Sequence, residues 1–386
     1  MLKLSRRLAI PALAVALAAN GTSRAAEAKG GLTVDLGFGF DSNPQELPAG
    51  GPGGAFWEVD VHSRLGVTLG DRAGFFLGGS AAGRRHESDV DLADDQSAEI
   101  ESGFAFTPYR RGGRHLSLRA GGRLGMYRAT FVDPATGGEF LWGSDPATAV
   151  PLGARFDHNV AAGFLDLRFR SGRRVLWLLD GHVERRAFVN DYDATSLEPL
   201  DDRTVIVRPG ARLLLSESVV LEVAAPLILR DYASLSALDA AGDAVLGVPR
   251  EYRTTGLDLS VQVEPSKRWD LAFGLSGYDR ADQHAGYYDS SGLVAFASVA
   301  CFPGARNAFR LFASHSELDY TAARVDGAVN GVLRGGTVVR GRAQYERELA
   351  PRFSLVIEAG ALRSDNTDPL YKYDQRWARS GIRFRL

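Results

Sequence analysis

The stretch GLTVDLGFGFDSNP, residues 31–44, alternates: Leu32, Val34, Leu36, Phe38 and Phe40 are apolar, and Thr33, Asp35, Gly37 and Gly39 lie between them. Asp-Ser-Asn-Pro then ends the pattern. Side chains of a strand point to opposite faces in turn, so a period of two predicts a strand with one greasy face and one wet face. The fold depends on where the greasy face points, into a protein core or out into lipid.

The chain start bears on that choice. Lys3, Arg6 and Arg7 precede an apolar run from Leu8 to Leu17, and small residues follow. Ser23-Arg24-Ala25 and Ala26-Glu27-Ala28 are both candidate cleavage sites of small-x-small form. The run is too short to span a bilayer but suits an export signal, so residues 1–26 read as a cleaved signal peptide and 27–386 as the mature domain. Cys301 is the single cysteine, which excludes an internal disulfide. Losing Lys3, Arg6, Arg7 and Arg24 takes the net charge from −2 to −6, which excludes a generally basic nucleic-acid surface.

The same alternation recurs to the end of the chain. FWEVDVHSRLGVTLG (56–70) puts Trp57, Val59, Val61, Leu65, Val67 and Leu69 on one face. LDLSVQV (257–263) and RFSLVIEAGAL (352–362) repeat it, and about sixteen such segments are predicted in all. The connections between them alternate in length. Tight ones such as GDRA (70–73), SES (216–218) and ELAPR (348–352) separate long ones at 42–55, 85–96, 129–158, 189–202, 231–251, 280–291, 317–336 and 364–374. Short turns on one side and long loops on the other describe an even-stranded up-and-down barrel in an outer membrane, with both chain ends on the short-turn side.

A soluble sandwich also carries one apolar face per strand, so alternation alone does not decide. Strand length does: these segments match the length that crosses a membrane at a tilt and exceed that of soluble sheets. Trp57, Trp269, Phe353 and Phe384 stand near strand ends on the apolar parity, as an interfacial girdle requires. The predicted fold is therefore an all-β, closed antiparallel transmembrane barrel of about sixteen strands in a bacterial outer membrane.

The last residues, SGIRFRL (380–386), resemble the C-terminal β-signal of bacterial outer-membrane proteins. That resemblance implies recognition by the barrel-assembly machinery through Ser380, Gly381, Phe384 and Leu386; the final Leu departs from the usual Phe. GFGFDSNP (37–44), taken with YKYDQRWARSGIRF (371–384), also resembles a broad family of outer-membrane β-barrel proteins. Its members often accompany exopolysaccharide secretion, which implies such a polymer as the cargo.

Sixteen strands enclose more space than side chains fill, leaving an aqueous lumen. Parity assigns Asp35, Glu58, Asp60, His62 and Arg64 to its wall, followed by Arg119, Arg123, Arg168, His182 and Glu184. Arg340, Arg342, Glu358, Arg379 and Arg383 complete the expected pore lining. Two readings stand: a wall of ion pairs that stiffens the barrel, or a path for a polar or charged solute, with the arginines near the seam favouring anions. The longest loop, 129–158, carries Glu139, Phe140, Trp142 and Asp145, which either fold inward as a constriction or pack over the rim. The other long loops are acidic and aromatic without calcium-loop spacing. The seven histidines make no nucleophile motif and no His-x-x-x-His metal pair, so no enzyme, metal or cofactor is expected. The expected function is a porin-like conduit for a polar solute; the alternative is a surface-binding or structural barrel with a blocked lumen.

Overall fold

A computed structural model describes residues 26–48, 50–70, 72–87, 94–111, 113–130, 141–142, 150–189, 197–325 and 331–386. Of the predicted signal segment, residues 1–25 lie outside these residues and Ala26 opens the first strand. The wall begins with β1 (Ala26–Asp41), β2 (Gly54–Leu69), β3 (Ala73–His86), β4 (Asp95–Arg111) and β5 (Arg114–Ala129). It continues through β6 (His158–Ser171), β7 (Val175–Phe188) and β8 (Asp202–Ser216) to β9, which is split into Val219–Ala224 and Leu227–Leu238. β10 (Ala244–Ser266), β11 (Trp269–Asp282), β12 (Ser290–Gly304) and β13 (Asn307–Arg324) follow, then β14 (Leu333–Ala350), β15 (Phe353–Asn366) and β16 (Tyr373–Arg385).

Each strand pairs antiparallel with its sequence neighbour, and β1 pairs with β16 from Thr33↔Arg385 to Asp41↔Trp377. The sheet therefore closes on itself and leaves no free edge along that seam. Seventeen strand segments build it, but the two pieces of β9 form one crossing, so the barrel has sixteen staves. Pro226 makes the break. It has no N–H to give the ladder, and Pro209 on β8 lacks one as well; Ala225 N–H donates to the Pro209 carbonyl across the gap.

The alternating turn lengths are present. Connections at one end hold two or three residues (70–72, 112–113, 172–174, 217–218, 267–268, 305–306 and 351–352). Leu32 and Leu386 exchange backbone hydrogen bonds where the barrel closes. At the other end the loops are shorter than the sequence suggests. The expected loop 231–251 is mostly strand, with a turn only at 239–243, and the expected loop 317–336 shrinks to 325–332. β10 runs for 23 residues instead of about a dozen. Beyond the lipid both faces of a strand are wet, so the apolar alternation stops at Arg250-Glu251-Tyr252-Arg253 while backbone pairing continues.

The outer face carries the large apolar side chains. Leu36, Trp57, Phe104, Leu124, Leu257 and Leu311 are all exposed, Leu124 at 62%. Exposure on this scale is stable only against lipid, and the polar residues between them point the other way. Rings collect at the short-turn end: Phe75 with Phe104 at 5.5 Å, Phe309 with Tyr345 at 4.7 Å and Phe353 with Phe384 at 4.9 Å. Phe38 and Trp57 pack at 4.8 Å near the opposite rim. Among the described residues no helix is long and apolar enough to cross a membrane; the crossing is made by strands. This is the architecture of an outer-membrane β-barrel.

Candidate functional site

Several ion pairs identify the lumen face because they reach over an intervening strand. Arg123 on β5 meets Glu184 on β7 at 2.7 Å, and Arg383 on β16 meets Glu346 on β14 at 2.8 Å. Arg208 on β8 meets Asp258 on β10 at 3.0 Å. Strands two apart are separated by about 10 Å along a flat sheet, so such contacts favour the concave side, where side chains converge.

The charges fall in three groups around the wall, the second joined to the third where Glu184 meets Arg186 at 3.5 Å. Around the seam, Arg379 bonds Glu58 and pairs with Glu358 at 3.4 Å and Asp60 at 3.8 Å. Arg84 shares Glu58 at 2.8 Å. Arg383 grips Asp35 as a fork, Nε to one oxygen at 2.7 Å and an Nη to the other at 2.8 Å, and this geometry makes the strongest guanidinium–carboxylate contact. Glu346 holds Arg310 at 3.2 Å and Arg385 at 2.6 Å besides Arg383. Asp35 and Asp60 stand directly opposite each other on β1 and β2, a repulsive placement that these arginines offset.

A second network joins β4 to β7: Arg119 bonds Glu101, and Arg123 bonds Glu184, which also lies 3.3 Å from His182. The third joins β6 to β10. Arg168 bonds Asp180, Arg208 reaches Glu222 and Asp258, and Arg186 and Arg230 clamp Asp202 at 3.1 and 2.8 Å. The Asp202 side chain is wholly shielded from solvent by that clamp.

Of the expected pore lining, Asp35, Glu58, Asp60, Arg119, Arg123 and Arg168 enter these networks, as do His182, Glu184, Glu358, Arg379 and Arg383. Arg342 is half exposed, with Glu358 at 3.9 Å. Among the described residues His62, Arg64 and Arg340 take no ion pair, and all three side chains are exposed. Of the expected constriction residues, Glu139, Phe140 and Asp145 lie outside the described residues; for Trp142 only the backbone is placed, in a two-residue ribbon pairing Leu141–Trp142 with Val150–Pro151. Among the described residues no group of three His, Cys, Asp or Glu side chains is placed to hold a metal.

Sequence reasoning missed the aromatic part of the wall. Inward rings lie over inward glycines on adjoining strands. A Cβ added at Gly274 would stand 2.0 Å from the Phe296 ring, at Gly292 2.2 Å from Tyr278, and at Gly360 2.5 Å from Trp377. Phe76 and Phe164 meet at 6.1 Å over the opposed pair Gly103–Gly121, and the Arg119 guanidinium sits 4.3 and 4.9 Å from the two rings. This explains why β12 looks apolar on both faces. Its inward Phe296 fills the space left by Gly274, and Phe296 stacks with Phe312 at 6.5 Å. Higher up, Tyr232, Tyr252, Tyr288 and Tyr320 make edge contacts in series at 6.1–6.2 Å. The signal available in sequence was the run of glycines on the lumen parity, but its meaning depends on register.

No protein-family model matches the chain, and no curated protein matches it in sequence. Similar solved structures include OccAB1 of Acinetobacter baumannii, at 8% identity over 93% of this chain and 96% of that one, TM-score 0.48. OpdQ of Pseudomonas aeruginosa matches at 9% identity over 93% and 99%, TM-score 0.47. An anion-selective porin from Comamonas acidovorans matches at 13% identity over 94% and 100%, TM-score 0.41.

Proposed function

We propose that this barrel is a water-filled conduit that lets small polar solutes cross the outer membrane. The observation that carries the reading is the lumen wall itself: paired carboxylates and guanidinium groups line the concave face over every stave except β11 and β12, where the wall is aromatic. Such a lining suits standing water and is a poor surface for close apolar packing. Export of an exopolysaccharide is the narrower form of this proposal and is supported by the family resemblance of residues 37–44 and 371–384. Cleavage of the leader over residues 1–26 and handover to the assembly machinery through Ser380, Gly381, Phe384 and Leu386 belong to the same proposal. N-terminal sequencing of the mature protein tests the first, and assembly of a Phe384→Ala, Leu386→Ala variant the second.

The decisive experiment is planar-bilayer conductance of the refolded protein in KCl. Stepwise ohmic conductance is expected. A folded, heat-modifiable barrel that passes no current overturns the conduit reading in favour of a blocked, surface-binding barrel. Loss of surface polymer in a deletion strain is the result expected for the polysaccharide form.

A further inference from the structure

The third charge network encloses a trough of about 590 Å³ in the lumen wall, spanning β7 to β11. Its floor differs from the rest of that network. One ladder row reads His182–Ile206–Ile228–Thr254–Arg280, and the next reads Glu184–Thr204–Arg230–Tyr252. Ile206 and Ile228 are directly paired, half-buried, and face the lumen among the ion pairs of β7 to β10. Pro226 and the notch at Gly256 extend that apolar strip. Tyr252 stands beside it on β10, and Tyr278 on β11 lines the far side of the trough with its ring laid over Gly292 on β12.

The rim carries more donors than acceptors. Among the described residues Arg280 has no carboxylate within ion-pair distance; its guanidinium rests 5.5 Å from the centre of the Tyr252 ring. Arg230 keeps a buried Nε with no acceptor, although its terminal nitrogen holds Asp202. Ser290, opposite Arg280 in the ladder, buries a hydroxyl with no partner. The Arg230 Nε and the Ser290 hydroxyl are shielded from the trough, so the group that an added acceptor can reach is the Arg280 guanidinium.

We infer that this trough is a solute subsite for an organic monocarboxylate carried on a flat ring: the ring lies on Ile206 and Ile228 beside Tyr252, and the carboxylate meets Arg280. The apolar floor disfavours small hydrophilic anions, which leave it wet, and the cationic rim disfavours neutral rings, which leave Arg280 unmatched. The subsite rests on the conduit reading only for the route by which solute arrives.

The test is a ¹⁹F NMR titration of 4-fluorobenzoate into the full-length folded barrel in micelles, with empty micelles as the blank. Saturable binding is expected, weakened roughly tenfold by Arg280→Gln and by Ile228→Ser, with Arg280→Lys retaining most of it. Acetate and benzyl alcohol are expected to compete poorly. Heat-modifiable gel migration checks that each variant folds, and Ile206→Ala replaces Ile228→Ser if that one does not. No saturable binding, unchanged affinity in the Arg280→Gln and floor variants, or equal competition by acetate overturns the subsite. Conductance without binding refutes the subsite alone, whereas binding without conductance supports it and refutes the conduit.

Discussion

Replacing Arg379 by Met tests whether the seam network holds the barrel together. The guanidinium is only 15% exposed and serves three carboxylates whose side chains are 6–21% exposed. Their losses differ. Glu58 keeps Arg84 at 2.8 Å, and Glu358 keeps Arg342 at 3.9 Å, but among the described residues Asp60 has no other cation within ion-pair distance. Breaking a fully buried pair by removing one partner costs about 3–5 kcal/mol. Two of the three carboxylates stay partnered and all three side chains keep some exposure, so the expected loss is smaller, about 2 kcal/mol. Most of it is the isolated Asp60 beside Asp35, its opposite neighbour on β1. Adding Asp60→Asn to Arg379→Met is therefore expected to recover about 1 kcal/mol, although Asp60→Asn alone should not stabilise. The assay is reversible urea unfolding in lipid vesicles, followed by tryptophan fluorescence, for the full double-mutant cycle. A loss below about 0.5 kcal/mol, or strictly additive effects of the two substitutions, would refute the account of the seam as a coupled network.

Four further outcomes follow from the same geometry. Leu257→Arg puts a charge on the lipid face at a position 58% exposed and is expected to cost about 2–4 kcal/mol in vesicle unfolding. Gly274→Ala must displace the Phe296 ring and should cost about 1–3 kcal/mol by the same assay, whereas Gly341→Ala, with nothing within 4 Å of the new methyl, should be near neutral. Arg352 sits in a tight turn at φ 77°, so Arg352→Gly should stabilise by about 1 kcal/mol, read as a raised urea midpoint. Arg340→Gln removes an exposed lumen cation that takes no ion pair among the described residues: the reversal potential across a salt gradient should move toward cation preference, with stability unchanged within about 0.5 kcal/mol.

The period-two pattern and the alternation of turn lengths carried the fold because both are local. Leu32 to Phe40 reveals its two faces without knowledge of any partner, and a two-residue turn fixes which strand comes next. Strand ends were less legible. Lipid imposes the alternation, and above it Asp231 and Glu251 still pair across β9 and β10 with no apolar face to mark them. The aromatic wall was hidden for a different reason. Phe296 and Gly274 are each unremarkable in sequence, and only the β11–β12 register lays the ring over the glycine. The trough has the same origin, since Ile206 and Ile228 become one apolar floor through the β8–β9 pairing.

Parity placed Arg340, Arg342, Arg379 and Arg383 on one stripe, and the structure divides that stripe by function. Asp35 and Arg383 lie 348 positions apart in sequence and become neighbours only when the barrel closes. An arginine held among two or three carboxylates contributes little positive potential to the space beside it, because its field is cancelled within a few ångströms. Arg379 and Arg383 are in that state, Arg342 has one loose partner at 3.9 Å, and Arg340 has none among the described residues. The two readings of the lumen charges therefore apply to different residues. The pairs at the seam brace the closing strands. On the conduit reading, what bias the water retains comes from cations the networks leave over: Arg64 on β2, and Arg340 on β14 and Arg280 at the trough, the last two on opposite flanks of the inward Phe296–Phe312 stack on β12 and β13.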